Sequence, residues 1–164
     1  IITSSEKYLV KNFWGMDAEM GQIAYLYARV LASYVKLPET KLRTMPLFVK
    51  HPRQVSQTIK IFLPEEWNID DEKIDIESDA FIYHSSSFYN NKTITLRYTY
   101  KTKNSFVDAE KTSDHIEKTD ELMSDINYMI YKEVDSPSNS RAKEFVVAVL
   151  LIGVFVYYIK KRTG

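Results

Sequence analysis

Lys92-Thr93-Ile94-Thr95-Leu96-Arg97-Tyr98-Thr99-Tyr100-Lys101-Thr102 decides the fold class of this chain. Ile94, Leu96, Tyr98 and Tyr100 fall on one side of an extended backbone, and Thr95, Arg97, Thr99 and Lys101 on the other. Successive side chains of a strand point to opposite faces, so this alternation predicts a strand with one buried and one solvated face. Ala80 to Tyr89 predicts a partner strand, with Asn90-Asn91 at the tip of the hairpin, because asparagine tolerates the positive φ of tight turns. Upstream, Val55 to Leu63 predicts another strand: Val55, Gln57, Ile59, Ile61 and Leu63 share a face, opposite Ser56, Thr58 and Lys60. Pro64-Glu65-Glu66-Trp67 closes it, and Ile74 and Ile76 suggest a short further strand.

Helices are expected on either side of these strands. Residues 17–36 carry Met20, Ile23, Tyr27, Val30, Leu31 and Tyr34 at three- and four-residue spacing, with Asp17 as candidate cap and Pro38 as terminator. Residues 113–132 carry Ile116, Met123, Ile126 and Ile130, with Thr112 or Ser113 as cap.

The last part of the sequence changes character. Phe145 to Ile159 is a run of fifteen uncharged, mostly apolar residues, and Lys160, Lys161 and Arg162 stop it. Fifteen helical residues cover roughly 22 Å, short of a bilayer core of about 30 Å. The methylene stems of Lys143 and Lys160 close part of that gap by snorkelling. Eleven of the fifteen residues are Val, Leu, Ile or Phe, which contribute about −3 to −7 kcal/mol towards insertion. Phe145, Val149, Ile152, Phe155 and Ile159 are the expected anchor residues. Lys160, Lys161 and Arg162, set against Arg141 and Lys143, favour a cytoplasmic tail by the positive-inside rule.

The expected fold is therefore α+β: an antiparallel β-rich, sandwich-like domain with a helix on each side, plus a C-terminal transmembrane helix. Residues 1–38 form an N-terminal helical segment in this reading, and residues 39–134 the β-rich domain, ending in the amphipathic helix of about 113–132. Residues 135–144 are a polar linker, 145–159 the membrane helix and 160–164 a basic cytoplasmic tail. Composition agrees. Hydrophobic residues make up 45% and aromatics 13%, enough for one packed core. Lys plus Arg equals Asp plus Glu at 22 each, so no global field draws the chain to nucleic acid. The chain starts at Ile1 with no basic-then-apolar leader, so an exported domain is expected to be the C-terminal part of a longer protein.

Chemistry-bearing patterns are sparse. There is no cysteine for a nucleophile or disulfide. His51, His84 and His115 do not fall at the i, i+4 spacing of a helical zinc pair, so no metal or cofactor is expected. Asp70-Asp71-Glu72 lacks the spacing and glycine of a calcium loop and reads as a solvated turn. Asp108, Glu110 and Asp114 suit a helix N-terminus. Trp14 and Trp67 fit either a core or a sugar-stacking platform.

The order of several short motifs adds a resemblance. Phe13-Trp14, Leu37-Pro38, Arg43-x-x-Pro46-Leu47, His51-Pro52, Thr58-Ile59-Lys60-Ile61-Phe62-Leu63-Pro64-x-x-Trp67, Tyr98-Thr99-Tyr100-Lys101 and Phe106-Val107-x-Ala109-Glu110 occur in that order ahead of an amphipathic stretch. Over residues 13–131 this resembles the C-terminal region of uncharacterised bacterial transglutaminase-like proteins, which carry a β-rich domain of unknown function. Asp108 stands where a proline is frequent in that pattern. The resemblance implies an exported, membrane-tethered protein whose papain-like core and Cys-His-Asp triad lie upstream, and no catalytic residue is carried onto this chain.

The expected role is a non-catalytic, membrane-anchoring accessory domain beside that core. Its partners are the bilayer and the upstream core, and it lies in the inner membrane with the folded part periplasmic. The alternative is an extracytoplasmic carbohydrate- or protein-binding module that presents Tyr83, Tyr89, Tyr98 and Tyr100. A hydrolase built on His and Asp would need two histidines and a carboxylate in one pocket.

Overall fold

A computed structural model of the chain describes residues 3–35, 37–38 and 44–132. The fold is predominantly antiparallel β-sheet. Its centre is a four-stranded sheet in the order β4-β7-β6-β5, formed by β4 (Gln54–Phe62), β5 (Glu72–Glu77), β6 (Phe81–Asn90) and β7 (Thr93–Thr102). A second sheet joins β1 (Gly15–Asp17), β2 (Gly21–Tyr27) and β9 (Asn127–Lys132), in the order β1-β2-β9. Two short strands, β3 (Leu47–Phe48) and β8 (Phe106–Val107), pair as a ribbon. The described residues also form helices α1 (Arg29–Ala32) and α2 (Thr112–Asp125), with a 3-10 turn at Ala109–Lys111 just ahead of α2.

The alternation along β7 sets the core. Ile94, Leu96, Tyr98 and Tyr100 are buried, and Arg97 and Lys101 are exposed. Register extends this face across the sheet: Tyr98 pairs with Gln57 on β4 and Ser85 on β6, and Tyr100 with Val55 and Tyr83. The opposing layer supplies Ala24 from β2, Leu31 from α1, Leu122 and Ile126 from α2 and its end, and Tyr128 and Ile130 from β9. Both large sheets thus feed one hydrophobic core. Gln57 ties the layers together, its side-chain Oε1 accepting from the Leu31 N–H at 2.9 Å.

The hairpin lies where its sequence places it, with a tip shifted by one residue. Asn90 still pairs with Thr93, and the turn residues are Asn91 (φ 46°) and Lys92 (φ 59°). Positive φ at both central residues is the requirement of the tightest hairpin turn.

The two helical expectations need correction. Residues 17–36 are not one helix: β1, a turn and β2 occupy 15–27, and α1 has only four residues. Asp17 makes the bonds of a cap, its Oδ1 accepting from Glu19 and Met20 N–H at 2.9 Å each, but here they hold a chain reversal that Gly21 (φ 79°) completes. Alternation then wins over helical spacing, with Ala24 in and Tyr25 out, because β9 offers β2 a full ladder from Gln22↔Lys132 to Tyr27↔Asn127. Likewise 113–132 is α2 followed by β9. Asn127 Nδ2 donates to the Met123 carbonyl at 2.8 Å and closes the helix end, after which Tyr128 and Ile130 alternate inward. Lys111, rather than Thr112 or Ser113, flanks the helix start. Asp108 sits at φ −59°, ψ 149°, a backbone conformation that proline also adopts.

The expected anchor (Phe145, Val149, Ile152, Phe155, Ile159), the basic stop (Lys160, Lys161, Arg162) and Arg43 lie outside the described residues. Among the described residues no helix is long and apolar enough to cross a membrane.

Candidate functional site

Strand β6 carries three consecutive serines, Ser85-Ser86-Ser87. The period of two turns Ser85 and Ser87 toward the core, between Tyr83 and Tyr89. Small hydroxyl side chains in that row leave a notch in an otherwise aromatic face. Across the pairing, Ser85 meets Tyr98 and Ile74, and Ser87 meets Leu96 and Glu72. The C-terminal turn of α2 and the start of β9 fill the notch with Asp125 and Tyr128. A small cleft, with room for about one water molecule, remains among these groups.

The notch is an oxygen-rich cluster within the core. Asp125 is 8% exposed, and its carboxylate accepts a hydrogen bond from the buried Tyr83 hydroxyl. A bond from Ser85 also favours its charged form, yet burial outweighs both and raises the Asp125 carboxyl above the usual carboxylate range. Burial likewise raises Glu72, reinforced by the Asp125 charge. The Tyr83 and Tyr98 phenols are pushed up by burial and then by Asp125, and Tyr128 by burial, against a bond to Ser87 that lowers it. At neutral pH these tyrosines are therefore neutral. The chemistry such a cluster supplies is hydrogen-bond donation to one buried carboxylate, which fixes α2 and β9 against the sheet.

The three histidines go to three places. His115 on α2 meets Ser78 in the β5–β6 turn, with Nδ1 and Oγ 3.0 Å apart. Ser78 Oγ already accepts from the Ala80 and Phe81 N–H groups at 3.2 Å each, so its proton is directed at His115 Nδ1. Burial holds His115 below the ordinary histidine value, opposed by Asp114 and Asp79. The ring of Phe81 meets His115 edge-on, with centroids 5.5 Å apart. His51 Nδ1 lies 3.0 Å from the Thr102 hydroxyl, which also accepts from Arg53 N–H at 2.9 Å. His84 pairs with Asp75 on the exposed face of the sheet. The clustering that a His–Asp hydrolase would need does not occur in these three environments.

The remaining candidates also have partners within the fold. Trp14 stacks on Trp67, with centroids 5.3 Å apart and planes 27° apart, and Phe13 meets Trp14 edge-on. Tyr83, Tyr98 and Tyr100 are buried, so the aromatic hairpin face belongs to the core. The partly buried Tyr89 is held at its hydroxyl, which donates to Glu66 at 2.5 Å and accepts from Trp67 N–H at 2.9 Å. Of the acidic triplet, Asp71 accepts from Tyr89 N–H at 3.2 Å, and Glu72 opens β5 and points inward. Lys111 pairs with Asp79 at 2.9 Å, just ahead of α2. Among the described residues no group of three or more His, Cys, Asp or Glu is arranged to hold a metal ion.

Sequence reasoning missed the notch. Its signal was the serine triplet inside an aromatic strand, together with Asp125 on the apolar side of α2.

No family model, curated protein or solved structure matches this chain.

Proposed function

We propose that the chain is a non-catalytic accessory module that a single C-terminal anchor holds at a membrane. The observation that carries this reading is how closely the apolar run follows the last described strand in sequence. β9 finishes at Lys132, and only twelve residues, 133–144, separate it from the fifteen-residue apolar run and its basic stop. Such a link bounds the distance from β9 to the bilayer at about 45 Å fully extended. The buried polar groups support the same reading: Asp125, Tyr83, Ser78 and His115 are each bonded to another part of the fold.

The proposal extends to context. The folded domain lies outside the cytoplasm with the basic tail inside, and its neighbour is a transglutaminase-like core upstream in the same polypeptide. Tethering confines that neighbour to a thin layer and raises its effective concentration toward envelope substrates.

The lack of cysteine makes the topology easy to read. A single cysteine at Asn91, the exposed hairpin tip, should react with a membrane-impermeant maleimide on intact spheroplasts, and the chain should stay in the pellet after carbonate washing. Labelling only after permeabilisation would reverse the topology. Release into the supernatant would remove the anchor altogether.

A further inference from the structure

Lys7-Tyr8-Leu9-Val10-Lys11 precedes β1, and its three central residues face solvent: Tyr8 is 75%, Leu9 91% and Val10 60% exposed. Single exposed apolar residues are ordinary, but three in succession are unusual on a water-facing surface. Lys7 and Lys11 are also exposed and bracket the three. Glu6 offsets part of that charge and contacts the Tyr8 hydroxyl. An aromatic and two aliphatic side chains between lysines suit the interface of a bilayer carrying anionic lipid: the apolar groups enter the acyl boundary and the ammonium groups stay among the headgroups.

The fold roots this segment beside the exit toward the anchor. Phe13 and Trp14 follow one residue later, after Asn12, and Trp14 stacks on Trp67. Two residues before Trp67, Glu65 pairs with Lys132 at 2.5 Å, and Lys132 is the last residue of β9. In the sheet, Gly15 pairs with Ile23, and Ile23 with Tyr131, so β1 starts two strands from the end of β9. Val10 is four residues from Trp14, a reach of at most about 14 Å. A chain anchored through residues 145–159 therefore keeps the exposed segment within reach of the same bilayer.

We infer that residues 7–11 are a second membrane contact, a lysine-flanked apolar segment that rests on the anionic lipid surface and orients the domain on its tether. This inference rests on the anchor proposed above. It commits to lipid as the occupant because the lysines answer a negative surface and because the segment is rooted next to the strand that leads to the anchor.

The test uses the full chain in proteoliposomes of phosphatidylcholine, with and without 30% phosphatidylglycerol. Single cysteines Leu9→Cys, Asn91→Cys and Ile152→Cys carry an environment-sensitive fluorophore and are read with shallow and deep spin-labelled lipids and with aqueous iodide. The Leu9 probe should be quenched by the shallow label and shielded from iodide, the Asn91 probe should behave oppositely, and the Ile152 probe should answer to the deep label. Replacing both Lys7 and Lys11 by Gln should weaken the lipid contact of Leu9, by about fivefold per lysine in the anionic vesicles. An iodide-accessible Leu9 probe with a lipid-buried Ile152 probe would overturn this inference and leave the anchor standing. A water-exposed Ile152 probe would overturn both. A Leu9 probe shielded from iodide and untouched by either lipid label would mean that protein covers the segment, which also defeats the lipid assignment.

Discussion

Replacing Tyr83 by Phe tests the buried notch directly. The ring is fully buried in the core and Phe keeps it, so the change removes one hydroxyl. That hydroxyl donates to Asp125, itself 8% exposed. A hydrogen bond to a buried charged group is worth about 1.5–3 kcal/mol, so about 2 kcal/mol is the expected loss once the Asp125 carboxyl is ionised. For a domain of this size that lowers the melting temperature by roughly 6–10 °C. The pH dependence carries a sign. Burial raises the folded-state pKa of Asp125, so its contribution is fully present below the unfolded value and is lost as pH rises through the folded value. Removing the Tyr83 donor takes away a bond that favoured the charged form, which raises that pKa further and steepens the loss. The gap between wild type and variant is therefore wider above the folded-state pKa of Asp125 than below it. Urea unfolding of the detergent-solubilised chain, followed by near-ultraviolet circular dichroism at several pH values, measures it. A gap below about 0.5 kcal/mol at every pH, or one that narrows as pH rises, would refute the assignment. The same substitution in an Asp125→Asn background should cost less, because the buried charge is gone.

Ser78→Ala removes the acceptor for two N–H groups and the partner of His115, and should cost about 1–3 kcal/mol in chemical denaturation. Because burial lowers His115, its contribution is present above the ordinary histidine range and is lost as pH falls through the folded value; His115→Gln should flatten that limb of a stability-versus-pH curve, and an unchanged limb would count against the pairing. Lys92→Gly relieves a side chain held at φ 59° and should raise the urea midpoint by about 0.5–1 kcal/mol equivalent with an unchanged slope. Leu122→Ala empties a fully buried site between α2 and the sheet and should cost about 2–5 kcal/mol in the same assay.

What the sequence made legible follows from how local each signal is. The β6–β7 hairpin and β4 could be read because each strand buries one face only, and a strand with one wet face writes its period into its residues. Burial along β4 alternates without a break, as its composition implies. The helical misreadings arose where two periods overlap. Ile23 and Tyr27 are four residues apart, and so are Ile126 and Ile130; either spacing also fits a strand, since an even separation keeps both residues on one face. Nothing near Ile23 states that a strand a hundred residues later will pair with it. That pairing, Ile23↔Tyr131, is a long-range fact that decides the local one. The same reason explains the missed site. Asp125 looks like an ordinary acid on a helix until β6 is laid beside it and Ser85 and Ser87 vacate the volume it enters. A serine triplet in an aromatic strand is a cavity waiting for a partner, and the partner's identity is fixed by α2 ending where it does. The notch and the β2–β9 ladder therefore stand or fall together: if Tyr83→Phe loosens α2, amide protection along β9 should fall with it, since Asp125 is two residues from the first residue of that strand.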